Sequence, residues 1–315
     1  MAQTFTCTGA LGRNRAPARI TLAYETQGTL NAEGDNCVLL PGYYTSTCAS
    51  YRPWIGAEGP FDPQHWFIVS CGLLGGGEST FAVEQGDERG AFATIDDNVR
   101  AQRTLLAHLG VRRVRLVAGW SMGGMQAFGW AARYPELVRA CLPVCATATC
   151  HPVNDVFLRS IKGLIEDDEG AIDDSAGAKR RFGRVYATWA FNDEFFAREG
   201  WRAFGYESQG ELLERWADDH AAMDAGALHR TLMTWLSCTE TPAAESHAAS
   251  GPRLLALPST TDRYFRVADA RSDAARFRGC AAPLVSDLGH IAGRPGVRAQ
   301  ETATISRFAR LLLDQ

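Results

Sequence analysis

Hydrophobic positions follow two textures along the chain. Short, mainly apolar runs, at 36–41, 66–71, 114–118 and 140–145, read as strands buried on both faces. Residues 16–29 read as a further strand. Between these runs the apolar positions fall at helical spacing. Ile95, Val99, Gln102, Leu105, Leu106 and Leu109 predict a helix over 95–109, ended by Gly110, and 124–134 predicts another, stopped before Pro135. Strands alternating with helices imply a mostly parallel sheet covered on both faces, an α/β fold.

The texture changes near residue 150. From His151 to about Glu240 it is helical, with candidate helices at 153–165, 179–199, 209–224 and 227–236. Strand-like runs return at 253–258 and 282–286, and a last helix is expected over 299–313. The predicted division is a core of 1–150 with 251–315, and a helical lid of 151–250. An independent helical domain fits less well, because both flanks are needed to complete one sheet. A lid would cover the C-terminal strand edge, where ligands bind in open α/β sheets.

One pentapeptide in this pattern carries chemistry. Gly119-Trp120-Ser121-Met122-Gly123 lies between the strand at 114–118 and the helix that follows. Strand, tight turn and helix make a Gly-x-Ser-x-Gly sequence a nucleophile elbow. A serine hydroxyl is a poor nucleophile and needs a base, which an acid must orient. Asp262 follows the strand at 253–258 and His290 follows the run at 282–286, so both fall on the strand edge that carries Ser121. Asp269 and Asp287 are the other acids that chain order allows; the first is expected in a helix and the second sits too near His290 in sequence. His65, His108, His151, His220, His229 and His247 have no such placement and read as solvated or structural. An oxyanion hole needs two backbone N–H donors. Met122, directly after the nucleophile, is one candidate, and Tyr43, in the loop Pro41-Gly42-Tyr43-Tyr44-Thr45, is the other. The run Gly75-Gly76-Gly77 could also cradle an anion but reads better as a turn.

Composition narrows the functions. In 315 residues, 46% are apolar and 22% charged, as in a globular protein, and a net charge of −4 without a basic block argues against a nucleic-acid partner. No apolar run reaches membrane-spanning length, and the first nineteen residues lack a signal-type apolar core, so a cytoplasmic protein without a membrane partner is expected. The nine cysteines show no Cys-x-x-Cys spacing. Cys141, Cys145 and Cys150 read as small apolar filler, and no metal or redox cofactor is expected.

Residues 119–126, Gly-Trp-Ser-Met-Gly-Gly-Met-Gln, resemble the signature of homoserine O-acetyltransferases and their esterase relatives in the α/β-hydrolase superfamily. The resemblance extends to 62–77, 97–110, 261–265 and Gly289-His290. It implies an α/β-hydrolase fold with a helical lid, a Ser–Asp–His acyl-enzyme mechanism through Ser121, Asp262 and His290, and a homodimer. The departures point to the esterase branch. The oxyanion loop has Pro41-Gly42-Tyr43-Tyr44-Thr45 where the transferases have His-Ala-Leu-Thr-Gly. Trp120 replaces a glycine, and Ala222-Met223-Asp224-Ala225-Gly226 lacks the arginine and phenylalanine of their Arg-Phe-Asp-Ala-Asn stretch. The expected function is hydrolysis of a small ester. The alternative is transfer of the same acyl group from a thioester, acyl-CoA being then a co-substrate, to a small alcohol or amine. A silent binding protein on this fold would not need a complete triad in order. The lid aromatics, from Trp189 to Trp235, are expected mostly to pack against one another.

Overall fold

In a computed structural model, residues 2–84, 91–239 and 251–314 are described. They build one nine-stranded sheet from β1 (Gln3–Leu11), β2 (Ala16–Gln27), β3 (Cys37–Pro41), β4 (Phe67–Cys71), β5 (Thr80–Val83), β6 (Val114–Trp120), β7 (Ala140–Val144), β8 (Arg253–Ala256) and β9 (Cys280–Ala281). Strand order is β1-β2-β4-β3-β6-β7-β8-β9, with β5 paired to β2. The pairs made by β2 are antiparallel; β4-β3-β6-β7-β8-β9 are parallel. Every residue of β3, β4 and β7 is buried, which is why those segments read as continuous apolar runs.

Helices α1 (Ile95–His108), α2 (Met122–Arg133), α8 (Val267–Arg276) and α9 (Ala299–Leu313) belong to the α/β layers. Thr94 begins α1 with a capping box: its hydroxyl accepts the N–H of Asp97, and Asp97 accepts the N–H of Thr94. Gly110, at φ +84°, takes the chain out of the helix, as its position predicts.

Between β7 and β8 lie α3 (Pro152–Lys162), α4 (Ala176–Ala190), α5 (Asp193–Ala197), α6 (Gln209–Ala221) and α7 (Ala225–Leu236). They pack through their aromatic residues. The Phe191 and Phe195 rings stack at 4.1 Å, and Phe157 meets Trp189 at 4.9 Å. Part of this block leans on the core: Tyr186 stacks on Tyr44 at 5.3 Å, and Trp235 stacks on Phe265 at 5.1 Å.

Two expectations need correction. The run 179–199 is not one helix. Asn192 interrupts it, because its side chain accepts the N–H of Phe195 and starts a new helix. The run 282–286 is not a strand: β9 has two residues, and beyond it only Leu284 bridges Ser259. Pro283 has no N–H to give the ladder there. β1 and β5 carry too weak an apolar alternation to have been foreseen. His247 and the end of the 151–250 segment lie outside the described residues.

Candidate active site

Ser121 stands between β6 and α2 with φ +57° and ψ −127°, a conformation that L-residues adopt only when their surroundings enforce it. Its neighbours supply the enforcement. A Cβ on Gly119 would come within 2.4 Å of the Gly123 backbone, and one on Gly123 within 2.4 Å of the Pro41 carbonyl oxygen. Only glycine lets the turn close on itself and press against β3. Ser121 occupies the cap position of α2 yet makes no side-chain cap bond, which leaves its hydroxyl free.

That hydroxyl meets His290. Nε2 of His290 lies 3.0 Å from Ser121 Oγ, and Nδ1 lies 2.8 Å from Asp262 Oδ2. A carboxylate only accepts, so Nδ1 carries the proton, Nε2 is left to accept, and the serine O–H donates to it. Ser121, His290 and Asp262 are all buried. The other oxygen of Asp262 accepts the N–H groups of Tyr264, at 2.8 Å, and Phe265, at 3.0 Å, so both are engaged. Thr261 ties the acid loop to the histidine loop: its hydroxyl donates to Ser286 O and accepts the N–H of Gly289.

The rival acids are occupied elsewhere. Asp269 lies in α8 and pairs with Arg266, and Asp287 pairs with Arg298 at 2.6 Å. Among the remaining histidines, His151 bonds Asp273, His220 bonds the Trp216 carbonyl and His229 bonds Glu166.

The two predicted backbone donors differ in state. Met122 is the first residue of α2, so its N–H has no acceptor within the helix and sits at the positive end of the helix dipole. The N–H of Tyr43 is donated to Ser46 Oγ at 2.8 Å. Gly75 and Gly77 line a separate cleft with Phe81 and Arg230.

Several contacts around the triad went unforeseen. The Trp120 indole stacks on the His290 imidazole, centroids 5.0 Å apart, while Tyr264 and Phe265 meet the same ring at 4.7 and 5.4 Å. Tyr51, fully buried, accepts the N–H of Trp120 and donates to Pro41 O, which joins the elbow to the loop after β3. Cys145, at φ +45°, lies against the acid; burial pushes its thiol well up, and the Asp262 charge adds to that. It therefore stays protonated near Asp262. Burial likewise pushes the Cys141 thiol up and that of Cys150 up to about 12. Among the described residues no group of three or more His, Cys, Asp and Glu side chains is placed to hold a metal ion, and no helix is long and apolar enough to cross a membrane.

A family model for the alpha/beta hydrolase fold matches residues 38–170. The solved structure of an acetylester hydrolase from Corynebacterium glutamicum superposes with a TM-score of 0.89 at 24% identity, covering 100% of this chain and 96% of that one. The chain has the α/β-hydrolase fold. Among the curated proteins it resembles, an ethyl acetate hydrolase of Pseudomonas veronii is 28% identical over 314 residues, 92% of this chain and 88% of that protein. A homoserine O-acetyltransferase of Solidesulfovibrio magneticus is 39% identical over 158 residues, but these span only 44% of this chain and 40% of the transferase.

Proposed function

We propose that this α/β-hydrolase cleaves small esters through an acyl-enzyme on Ser121. The observation that carries the reading is the continuous hydrogen-bonded chain Ser121 Oγ, His290 Nε2, His290 Nδ1, Asp262 Oδ2 within a buried site. As the serine oxygen attacks the acyl carbon, His290 takes its proton, and the imidazolium is stabilised by Asp262. The carbonyl oxygen becomes an oxyanion facing the N–H of Met122, with Tyr43 as the second donor once its N–H is turned from Ser46 Oγ, which takes it in the free enzyme. Collapse expels the alcohol, which leaves with the proton from His290. Water then repeats the sequence on the acyl-enzyme, and the carboxylic acid departs. No step calls for a metal or redox group.

The helical block between β7 and β8 acts as the lid of this site, and its Tyr186 and Trp235 side chains reach the core beside it. Water as acyl acceptor is supported by the full-length likeness to an ethyl acetate hydrolase. It is also supported by the residues at the position of the transferases' homoserine stretch. Asp224 is spent there as the cap of α7, accepting the N–H of Ala227. An amino-acid acceptor would need a carboxylate clamp that this segment lacks.

The second reading, acyl transfer to a bound alcohol, draws on the 39% identity with a homoserine O-acetyltransferase. One experiment separates the two. The purified enzyme is given ethyl acetate, or acetyl-CoA, with and without homoserine, and products are followed by mass. Hydrolysis predicts acetate at a rate that homoserine does not change. Stoichiometric O-acetylhomoserine would establish transfer instead.

A further inference from the structure

We propose that Gln126, backed by Gln102 and Trp130, is the positioning residue that sets the geometry of the oxyanion site. The proposal rests on the Ser121 reading above and adds the element that holds its two backbone donors in register. Gln126 lies one turn into α2. Its Nε2 donates to Gly42 O at 2.7 Å and to Met122 O at 3.0 Å. Its Oε1 accepts from Gln102 Nε2 at 2.6 Å, and Gln102 Oε1 accepts from Trp130 Nε1 at 2.8 Å. Gln102, Gln126 and Trp130 are fully buried.

The direction of this relay is fixed from both ends. The indole N–H only donates, so Gln102 must turn its oxygen to Trp130 and its NH₂ group to Gln126. Backbone carbonyls only accept, so Gln126 must turn its NH₂ group to Gly42 and Met122. The amide orientations, interchangeable in isolation, admit one consistent arrangement.

The consequence lies in the peptide planes. The Gly42 carbonyl and the Tyr43 N–H belong to one trans peptide unit and point in opposite directions. Pinning the carbonyl on Gln126 therefore fixes the line of the N–H, which is donated to Ser46 Oγ in the free enzyme and which an oxyanion must share or take over. The same NH₂ group grips Met122, the residue that offers the other donor. One side chain thus joins the loop after β3 to the first turn of α2. Leucine at 102 and 126 would fill the same apolar positions without burying two amides, a burial that is costly unless every polar atom is bonded.

The test measures kcat and KM on an acetate ester for Gln126→Met, Gln102→Met and Trp130→Phe, with Ser121→Ala alongside. It also measures binding of a trifluoromethyl ketone, which forms an oxyanion on the serine, and of the matching alcohol, which cannot. Gln126→Met should lower kcat about 100-fold, the scale of losing one oxyanion donor, with KM nearly unchanged. Gln102→Met and Trp130→Phe, remote from the reacting atoms, should lower it about 3- to 10-fold through the same site, a fraction of that loss. Affinity for the ketone should fall in step with kcat while affinity for the alcohol holds. A merely structural role would move both ligands together or neither, and that result overturns the proposal. If Gln126→Met does not fold, unchanged kcat in both folded remote variants overturns it as well. An active Ser121→Ala would remove the underlying reading and the proposal with it; an inactive one with normal Gln variants removes the proposal alone.

Discussion

The indole N–H of Trp120 donates to the backbone carbonyl of His290 at 3.1 Å while its ring lies against the imidazole at an interplanar angle of 28°. The residue that precedes the nucleophile thus holds the base twice, by its backbone and by its face. In the proposed mechanism His290 takes up the serine proton, and the positive ring would then rest on an aromatic face, an interaction worth about 0.5–2 kcal/mol.

Replacing Trp120 should therefore damage kcat more than KM. Trp120→Phe keeps a ring and loses the N–H; Trp120→Leu loses both. We expect a graded fall in kcat, with Leu the worse at about 2- to 30-fold, the kinetic equivalent of a contact of that size. Equal kcat for Leu and wild type would show that the stacking is packing only.

Asp262 should prove to be the acid. Asp262→Asn should leave the circular dichroism spectrum intact and cost about 10⁴ in kcat, because the asparagine amide favours the wrong imidazole tautomer. Asp269→Asn and Asp287→Asn, whose carboxylates are paired with arginines, should keep near-normal rates. A larger loss at either of them would reassign the acid.

His151 should link stability to pH. It begins α3, the first helix of the inserted block, and its Nε2 lies 3.1 Å from the buried Asp273 of α8. The hydrogen bond to Asp273 raises its pKa, with the Asp273 and Asp269 charges adding to this and with burial and Arg266 opposing it. A raised folded-state pKa gives stability that is fully present below the unfolded value, about 6.5, and is lost as pH rises through the folded value. His151→Gln should thus lower Tm more at about pH 5.5 than at about pH 8.5. A Tm difference independent of pH would contradict the ion pair.

Most of the parallel core was legible because buried strands announce themselves as apolar runs, as 37–40 and 114–118 do. The order Ser121, Asp262, His290 was legible because Ser121 and Asp262 follow β6 and β8; for His290 the run 282–286 was only a bridge, with the short β9 before it. β1 stayed hidden because most of its residues face solvent, which leaves the half-buried Phe5, Cys7 and Ala10 and the buried Leu11 without a sustained alternation. The extent of β9 was misjudged because Pro283 interrupts its ladder. The contacts that tune the site are long-range and leave little local signal: Tyr51 reaches Trp120 across 69 positions, and Trp120 reaches His290 across 170. Gln102 did leave one. It falls on the apolar face of α1 among Val99, Leu105 and Leu106, and a polar side chain facing a core must have a partner there. That partner, Gln126, lay within the elbow octapeptide.

The central claim is a covalent acyl group on Ser121. Rapid quenching after mixing with an activated acetate ester, followed by intact mass and peptide mapping, tests it directly. One acetyl group per chain should appear at Ser121 before steady-state turnover. Ser121→Ala should show neither the adduct nor more than about 10⁻⁴ of the wild-type kcat. Turnover without acylation of Ser121, or an alanine variant within tenfold of wild type, would contradict it.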